Sequence, residues 1–257
     1  MENQDFTPRH ANLQTFLNCE SRYLPCLSLI EEAQKENFTQ ERWDCIVTYA
    51  YRVCYNYGLQ ASTLAMASQI VASFLERATV LPSRYSLVTA ASTAIAAKYL
   101  EPRYPCLKDL AKIDGTFTVD ELKQMEKYIL YSCEWALFDV SPFQAMSIIL
   151  KEAGLNEAEA AKVSEEACVY IDKLTLRKQF IGYRPSSIAF VAIATAALSS
   201  TEIDEKTKDK TTGAIDNMLT YYEASVDYDE VDTLQSYLQE VNEEKPRPLS
   251  PSEPAHA

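Results

Sequence analysis

Apolar residues recur along the chain at intervals of three and four positions, which is the spacing of one face of an α-helix. The pattern predicts a first helix from about Asn12 to Gln34, broken or kinked at Pro25, and a second from about Gln40 to Tyr57, ended by Gly58. Nearly every segment long enough to test follows this period and not the alternation of a strand. The sequence therefore predicts an all-α protein, with further helices over about 62–77, 84–100, 143–153 and 157–175.

Two of the predicted helices are apolar or small on every side. The segment SLVTAASTAIAAKYL carries no charge before Lys98, and the later segment SSIAFVAIATAALS carries none at all. A helix of this kind lies at the centre of a bundle, because small side chains let neighbouring helices pack closely on several faces. Leu87 in the first segment matches Ile188 in the second at a constant offset of 101 residues. We therefore expect two tandem five-helix bundles, each around an Ala-rich central helix.

Capping residues indicate where two other helices begin. Thr118 and Glu121 have the spacing of a capping box, and Ser141 followed by Pro142 places an N-cap before a proline at the first helical position. These signals divide the chain into an N-terminal helical extension (1–37), a first bundle (38–138), a second bundle (141–240) and an acidic, proline-rich tail (241–257) that we expect to be disordered.

The chain is acidic, with 37 Asp and Glu residues against 24 Lys and Arg residues and a net charge of −13. Such a surface is repelled by phosphate backbones and by anionic lipid, and the basic residues are scattered instead of forming a stripe. No apolar run reaches the length that spans a membrane. We therefore expect no direct contact with nucleic acid and none with a membrane.

Few residues suited to cofactor or metal binding occur in the sequence. The five glycines are isolated, so they form no loop that could wrap a nucleotide phosphate. The two histidines, His10 and His256, lie near the termini, which argues against histidine metal sites and catalytic triads. The seven cysteines show no C-x-x-C spacing, and we expect buried free thiols in a reducing, intracellular compartment. No cofactor is predicted.

Several short motifs resemble those of the cyclins. The first central helix ends in A-A-K-Y-L-E (96–101), Y-P follows at 104–105, and Q-M-E lies in the next helix at 124–126. The stretch WALFDVSPF (135–143) is similar to the segment that joins the two cyclin folds, and YRPSSIA (183–189) is similar to the opening of the second central helix. The resemblance covers almost the whole chain, and it implies two tandem cyclin folds with an extra N-terminal helix.

The segment E-S-R-Y-L-P (20–25) resembles D-type (G1) cyclins, which implies a G1 kinase as partner. Other positions depart from the family pattern. Trp43 stands where the first cyclin box usually has an arginine, and Ala72 stands where the aspartate that pairs with it is usual. Tyr49 replaces a usual tryptophan, so the resemblance does not carry over a working substrate-docking groove.

The resemblance implies that Lys98 and Glu126 contact the backbone around the start of a kinase's movable C helix. Read from the residues alone, Lys98 could instead extend into water and Glu126 could be one more solvated helix charge. Apolar residues map to the same surface in the family, although core packing is a competing role, above all for Leu130 and Trp135. These apolar positions are Ile95, Tyr99, Leu130, Trp135 and Leu137.

The implied function is that of a non-catalytic subunit that activates a cyclin-dependent Ser/Thr protein kinase in cell-cycle control. Docking would hold the kinase C helix inward, so that its glutamate pairs with the lysine that positions the ATP phosphates. We expect a monomer when free, a heterodimer with the kinase, and a location in nucleus and cytoplasm. Two alternatives remain: a TFIIB-like transcription factor, which the net charge of −13 opposes, and a cyclin-fold scaffold that activates no kinase.

Two short motifs suggest regulation. Lys35, Glu36 and Asn37 spell a KEN degradation signal in a polar junction before the first box. In the tail, Ser250 precedes a proline and is a candidate site for proline-directed phosphorylation, although the tail could equally be a passive solubilising segment.

Overall fold

The computed structural model describes residues 13–137 and 140–243. Within these residues the structure contains twelve α-helices, four short 3-10 helices and no strand, so the prediction of an all-α protein is confirmed. The α-helices are α1 (Leu13–Glu20), α2 (Leu27–Gln34), α3 (Gln40–Tyr57), α4 (Ala61–Arg77), α5 (Tyr85–Leu100), α6 (Leu107–Asp114), α7 (Val119–Ser132), α8 (Pro142–Glu152), α9 (Glu157–Thr175), α10 (Pro185–Ser199), α11 (Glu205–Tyr221) and α12 (Tyr228–Glu243).

The first apolar core forms around α5. This helix is buried almost continuously from Tyr85 to Ala97, and its small residues let α3, α4 and α7 pack closely against it. Local signals fix the neighbouring helices. Thr39 accepts a hydrogen bond from the backbone N–H of Arg42 at the start of α3, and Gly58 ends that helix in the left-handed conformation. The capping box predicted at the start of α7 is present.

The second apolar core forms around α10, which contains no charged residue. Pro185 to Ile193 are all buried, and side chains from α8, α9, α11 and α12 complete the core. The N-cap predicted at Ser141 is confirmed, because its hydroxyl accepts a hydrogen bond from the backbone N–H of Gln144. Five helices thus belong to each core, α3–α7 to the first and α8–α12 to the second.

The N-terminal segment differs from the single kinked helix that the sequence predicts. Pro25 lies between two separate helices, and these helices pack on different cores. Leu13, Phe16 and Leu17 of α1 are buried in the second core, whereas Ile30 of α2 is buried in the first. The hydrophobic period of each helix is local, and it carries no information about which core the helix covers.

The cysteines are free, as expected, but they are not all buried. Cys54 and Cys133 are buried, whereas Cys26, Cys45 and Cys106 are exposed. Among the described residues no cluster of His, Cys, Asp and Glu has the arrangement of a metal site. In the same part of the chain, no helix is long and apolar enough to cross a membrane. The two histidines, Ser250 and nearly all of the predicted tail lie outside the described residues.

Candidate partner-binding site

Lys98 and Glu126, predicted to share a surface, form an ion pair. Lys98 lies in the last turn of α5 and Glu126 near the middle of α7, and Lys98 Nζ is 2.5 Å from Glu126 Oε1. The side chain of Glu126 is 11% exposed and that of Lys98 is 39% exposed. The alternative in which Glu126 is a solvated helix charge therefore does not describe this structure.

This ion pair contributes little to the free energy of folding, and it leaves N–H donors of the Lys98 ammonium free. A partly exposed Lys–carboxylate pair contributes about 0–1 kcal/mol, because desolvation offsets much of the attraction. The ammonium of Lys98 makes this one hydrogen bond within the described residues, and an ammonium has three donors. Two donors on Lys98 therefore remain available to carbonyl oxygens of a partner.

Glu101, which closes the A-A-K-Y-L-E motif, has a structural role. One oxygen of its carboxylate accepts hydrogen bonds from the backbone N–H of Gln60 at 2.7 Å and from the hydroxyl of Thr63 at 2.6 Å. These bonds join the end of α5 to the start of α4, where the side chain of Gln60 forms no cap. Sequence reasoning missed this role, because the two partners lie about forty residues earlier in the chain.

The structure separates the five apolar site residues into two groups. Ile95 is buried in the first core, and Leu130 and Leu137 are half-buried against it. Tyr99 and Trp135 are exposed, Trp135 to 59%. Core packing therefore accounts for Ile95 and in part for the two leucines, but it does not account for Trp135.

Trp135 is held outward by a turn with unusual backbone angles. Glu134 and Trp135 have φ values of 53° and 59°, in the left-handed region where residues other than glycine cost about 1–3 kcal/mol each. The backbone N–H of Trp135 donates to the carbonyl of Leu130 at 2.9 Å, and its ring packs edge-on against Tyr131. Sequence reasoning missed the exposed Tyr131, because Trp135 lies beyond the end of α7 and helical spacing does not apply to the pair.

The KEN motif lies in a folded segment. Lys35, Glu36 and Asn37 form a 3-10 helix, and Arg42 Nη1 donates to the backbone carbonyl and to the side-chain oxygen of Asn37 at 2.8 and 2.9 Å. A degradation receptor would have to unfold this turn to bind the motif as an extended peptide. The use of the motif remains a prediction, as does the phosphorylation of Ser250.

Trp43 and Ala72, the two departures from the cyclin pattern, are both buried in the first core, as is Tyr49. The ring of Trp43 packs edge-on against Phe38 at 6.0 Å between centroids. Within the described residues, Trp43 Nε1 has no hydrogen-bond partner. Trp43 and Ala72 also border one cavity, so the indole leaves part of the space between the two bundles unfilled.

Comparison with known proteins places the first half of the chain in a family. Residues 12–138 match the family described as cyclin, N-terminal domain. The chain is 26% identical to cyclin-B2-1 of Oryza sativa subsp. japonica over 191 residues, which are 74% of this chain and 44% of that protein. It is 31% identical to G2/mitotic-specific cyclin-2 of Saccharomyces cerevisiae over 186 residues, which are 69% of this chain and 37% of that protein. The chain thus spans less than half the length of these curated relatives.

Solved structures share the fold at low sequence identity. A viral cyclin from herpesvirus saimiri superposes with a TM-score of 0.69 at 18% identity, over 89% of this chain and 96% of that chain. A chain of the yeast RNA Pol II CTD kinase CTDK-1 complex superposes with a TM-score of 0.58 at 15% identity, over 90% of this chain and 86% of that chain. These superpositions show that the fold of this chain is similar to the folds of the two solved chains.

The D-type resemblance is not supported by these relatives, which include B-type and mitotic cyclins. One residue of the segment that suggested it, Glu20, has a structural role. Glu20 is fully buried and accepts hydrogen bonds from the backbone N–H and the hydroxyl of Ser186, at 2.9 and 2.5 Å. A carboxylate needed to join α1 to α10 says little about which kinase a protein binds.

Proposed function

Because residues 12–138 match the cyclin N-terminal domain, we propose that this chain is a cyclin, the regulatory subunit of a cyclin-dependent protein kinase in cell-cycle control. The proposal includes a location in nucleus and cytoplasm, where such a kinase acts. It assigns no catalytic group to this chain, whose contribution is to hold the kinase in its active conformation.

The observation that carries the proposal is the Lys98–Glu126 pair at the end of α5, beside the exposed Tyr99. A charged pair with free donors next to exposed aromatic rings is the composition of a binding surface, because aromatic residues supply apolar contact and the charges fix orientation. The exposed Trp135 follows on the C-terminal side of α7, the helix that carries Glu126.

The mechanism is conformational. Lys98 and Glu126 hold backbone groups around the start of the kinase C helix, and Trp135 contacts an apolar side chain of that helix. With the C helix held inward, its glutamate pairs with the lysine that positions the ATP phosphates. The cyclin shifts the population of the kinase toward this arrangement. The free energy that drives the shift is the difference between the free energies with which the cyclin binds the two kinase states.

The test is co-purification of the full chain with a panel of G1 and mitotic cyclin-dependent kinases, followed by a phosphorylation assay on each complex. The panel includes both classes because the segment 20–25 resembles D-type cyclins, whereas the curated relatives include B-type and mitotic cyclins. We expect one kinase to form a stable complex and to gain activity. Binding without activation would favour the scaffold alternative, and no binding to any member would contradict the proposal.

A further inference from the structure

A cavity of about 320 Å³ lies where the two bundles and the N-terminal segment meet. Its walls are mostly apolar and come from both bundles, with Trp43, Val47 and Leu64 on one side and Phe143, Leu176 and Ile188 on the other. The volume is at the lower end of the range for sites that bind small molecules, which are concave and mainly apolar with a few polar groups.

Polar contacts between the bundles hold the walls beside the cavity in place. Gln40 Nε2 donates to the carbonyl of Leu176 at 3.3 Å, and Gln40 Oε1 accepts from the backbone N–H of Lys178 at 3.0 Å. Lys178 Nζ also pairs with Glu31 of α2 at 2.6 Å. The cavity is therefore formed before any ligand arrives, which lowers the cost of binding.

Asp172 of α9 lies at the rim of this cavity without a partner for its carboxylate in the described part of the chain. The basic residues that follow it are engaged elsewhere. Lys173 Nζ donates to Asn242, Arg177 lies over the ring of Tyr237, and Lys178 pairs with Glu31. Asp172 is exposed at this rim, and partial desolvation of its carboxyl by the neighbouring residues raises the pKa above its ordinary value.

An apolar space with one unpaired carboxylate at its rim is complementary to a molecule with an apolar body and a cationic end. We propose that this cavity binds a small organic amine, with its apolar part between the two bundles and its ammonium on Asp172. The volume is sufficient for one such molecule. Because the ligand would touch both bundles, its binding should also raise the melting temperature of the chain.

The test compares 2-naphthylmethylamine with 2-naphthalenemethanol, which has the same apolar part and no charge, by calorimetry on the full chain without kinase. We expect the amine to bind about two- to fivefold more tightly, because an ion pair at an exposed rim contributes about 0.5–1 kcal/mol and 1.4 kcal/mol is tenfold. Asp172→Asn should abolish this preference, whereas Asp216→Asn, on the exposed face of α11, should keep it.

A second variant tests the location. Ser68 borders the cavity and is half-buried, so Ser68→Phe should fill the space and prevent binding of both compounds, with circular dichroism as the check of folding. Equal affinity for amine and alcohol, no binding of either, or an unchanged preference in Asp172→Asn would overturn the proposal. Kinase binding plays no part in this test, so its result is independent of the proposed function.

Discussion

The two central helices are alike in their middles and different at their ends. Both α5 and α10 are buried and free of charge up to the last turn, and small residues allow close packing around each. At the C-terminal end of α5, Lys98 points its ammonium to the surface. Ser199, its counterpart in α10 at the same offset of 101 residues, bonds to Tyr170 of its own bundle. The same architecture thus ends one central helix in a partly exposed ion pair and the other in a hydrogen bond between two hydroxyl groups.

The second bundle also contains an interhelical Lys–Glu pair. Lys210 of α11 lies 2.9 Å from Glu159 of α9, with side-chain exposures of 38% and 18%, close to those of Lys98 and Glu126. An ion pair of this geometry is therefore not by itself a binding site. The difference lies in the surroundings, because Lys98 lies beside the exposed Tyr99 in the segment that resembles the cyclin motif. Lys210 is the natural control for Lys98.

The largest effect on stability is expected at the buried Trp43, and the exposed Trp135 serves as its comparison. Trp43→Arg should lower the free energy of unfolding by roughly 3–5 kcal/mol, because it loses a buried aromatic side chain and strands a guanidinium. The same substitution at the exposed Trp135 should cost less than about 1 kcal/mol.

Urea unfolding of the isolated chain measures both effects, and adding Ala72→Asp to Trp43→Arg should recover part of the loss by restoring an ion pair. If the Trp43 variant is as stable as the parent, or if Ala72→Asp adds its own penalty without coupling, the two positions do not share a site. The alignment of α3 with the first cyclin helix would then be wrong.

The next effect is a dependence of stability on pH that arises where α1 packs on the second bundle. Burial raises the pKa of Glu20 from 4.5 to about 7, against the lowering effect of its hydrogen bonds with Ser186. The folded chain therefore holds a proton between these pH values that the unfolded chain releases, so this group's contribution to stability falls as pH rises through the window. The fall amounts to at most about 3 kcal/mol.

Glu20→Gln should remove this part of the pH dependence, because glutamine stays neutral and keeps most of the bonding to Ser186. Glu157→Gln, on the exposed first turn of α9, should leave the pH dependence of the parent unchanged. Urea unfolding at pH 5 and pH 8 is the measurement. Identical pH dependence in parent and Glu20→Gln would show that the carboxyl does not hold a proton in the folded chain.

The smallest effect should be equal in the two bundles. Thr118 caps α7 and Asn156 caps α9, each within a complete capping box. Thr118→Ala and Asn156→Ala should each cost about 1 kcal/mol of unfolding free energy, since each leaves a backbone N–H of the first turn without its acceptor. Thermal unfolding of both variants checks this, and a loss confined to one of them would mean that the other cap is dispensable.

Local features of the fold were predictable from the sequence, and contacts between distant segments were not. The bounds of α3 and the capping box at Thr118 follow from periodicity and capping chemistry, which act within a few residues. The packing of α1 and α2 on different cores depends on contacts far along the chain, as does the buried bond between Glu20 and Ser186.

Part of the candidate site was likewise predictable from the sequence, and part of it was not. The resemblance to cyclins predicted that Lys98 and Glu126 share a surface, and the structure brings the two side chains into contact. The exposure of Trp135 depends on two left-handed backbone angles at residues other than glycine, which no sequence pattern indicates. Binding of a kinase by these residues stays a prediction.

The most direct measurement of the central claim is calorimetry of kinase binding by Lys98→Ala, Glu126→Ala and the control Lys210→Ala. Lys98→Ala removes a charged donor from a desolvated contact and should cost about 2–5 kcal/mol of binding free energy. Lys210→Ala should leave the affinity within about twofold of the parent, because its pair lies in the other bundle. Unchanged affinity in both Lys98→Ala and Glu126→Ala would contradict the assignment of this surface to the kinase.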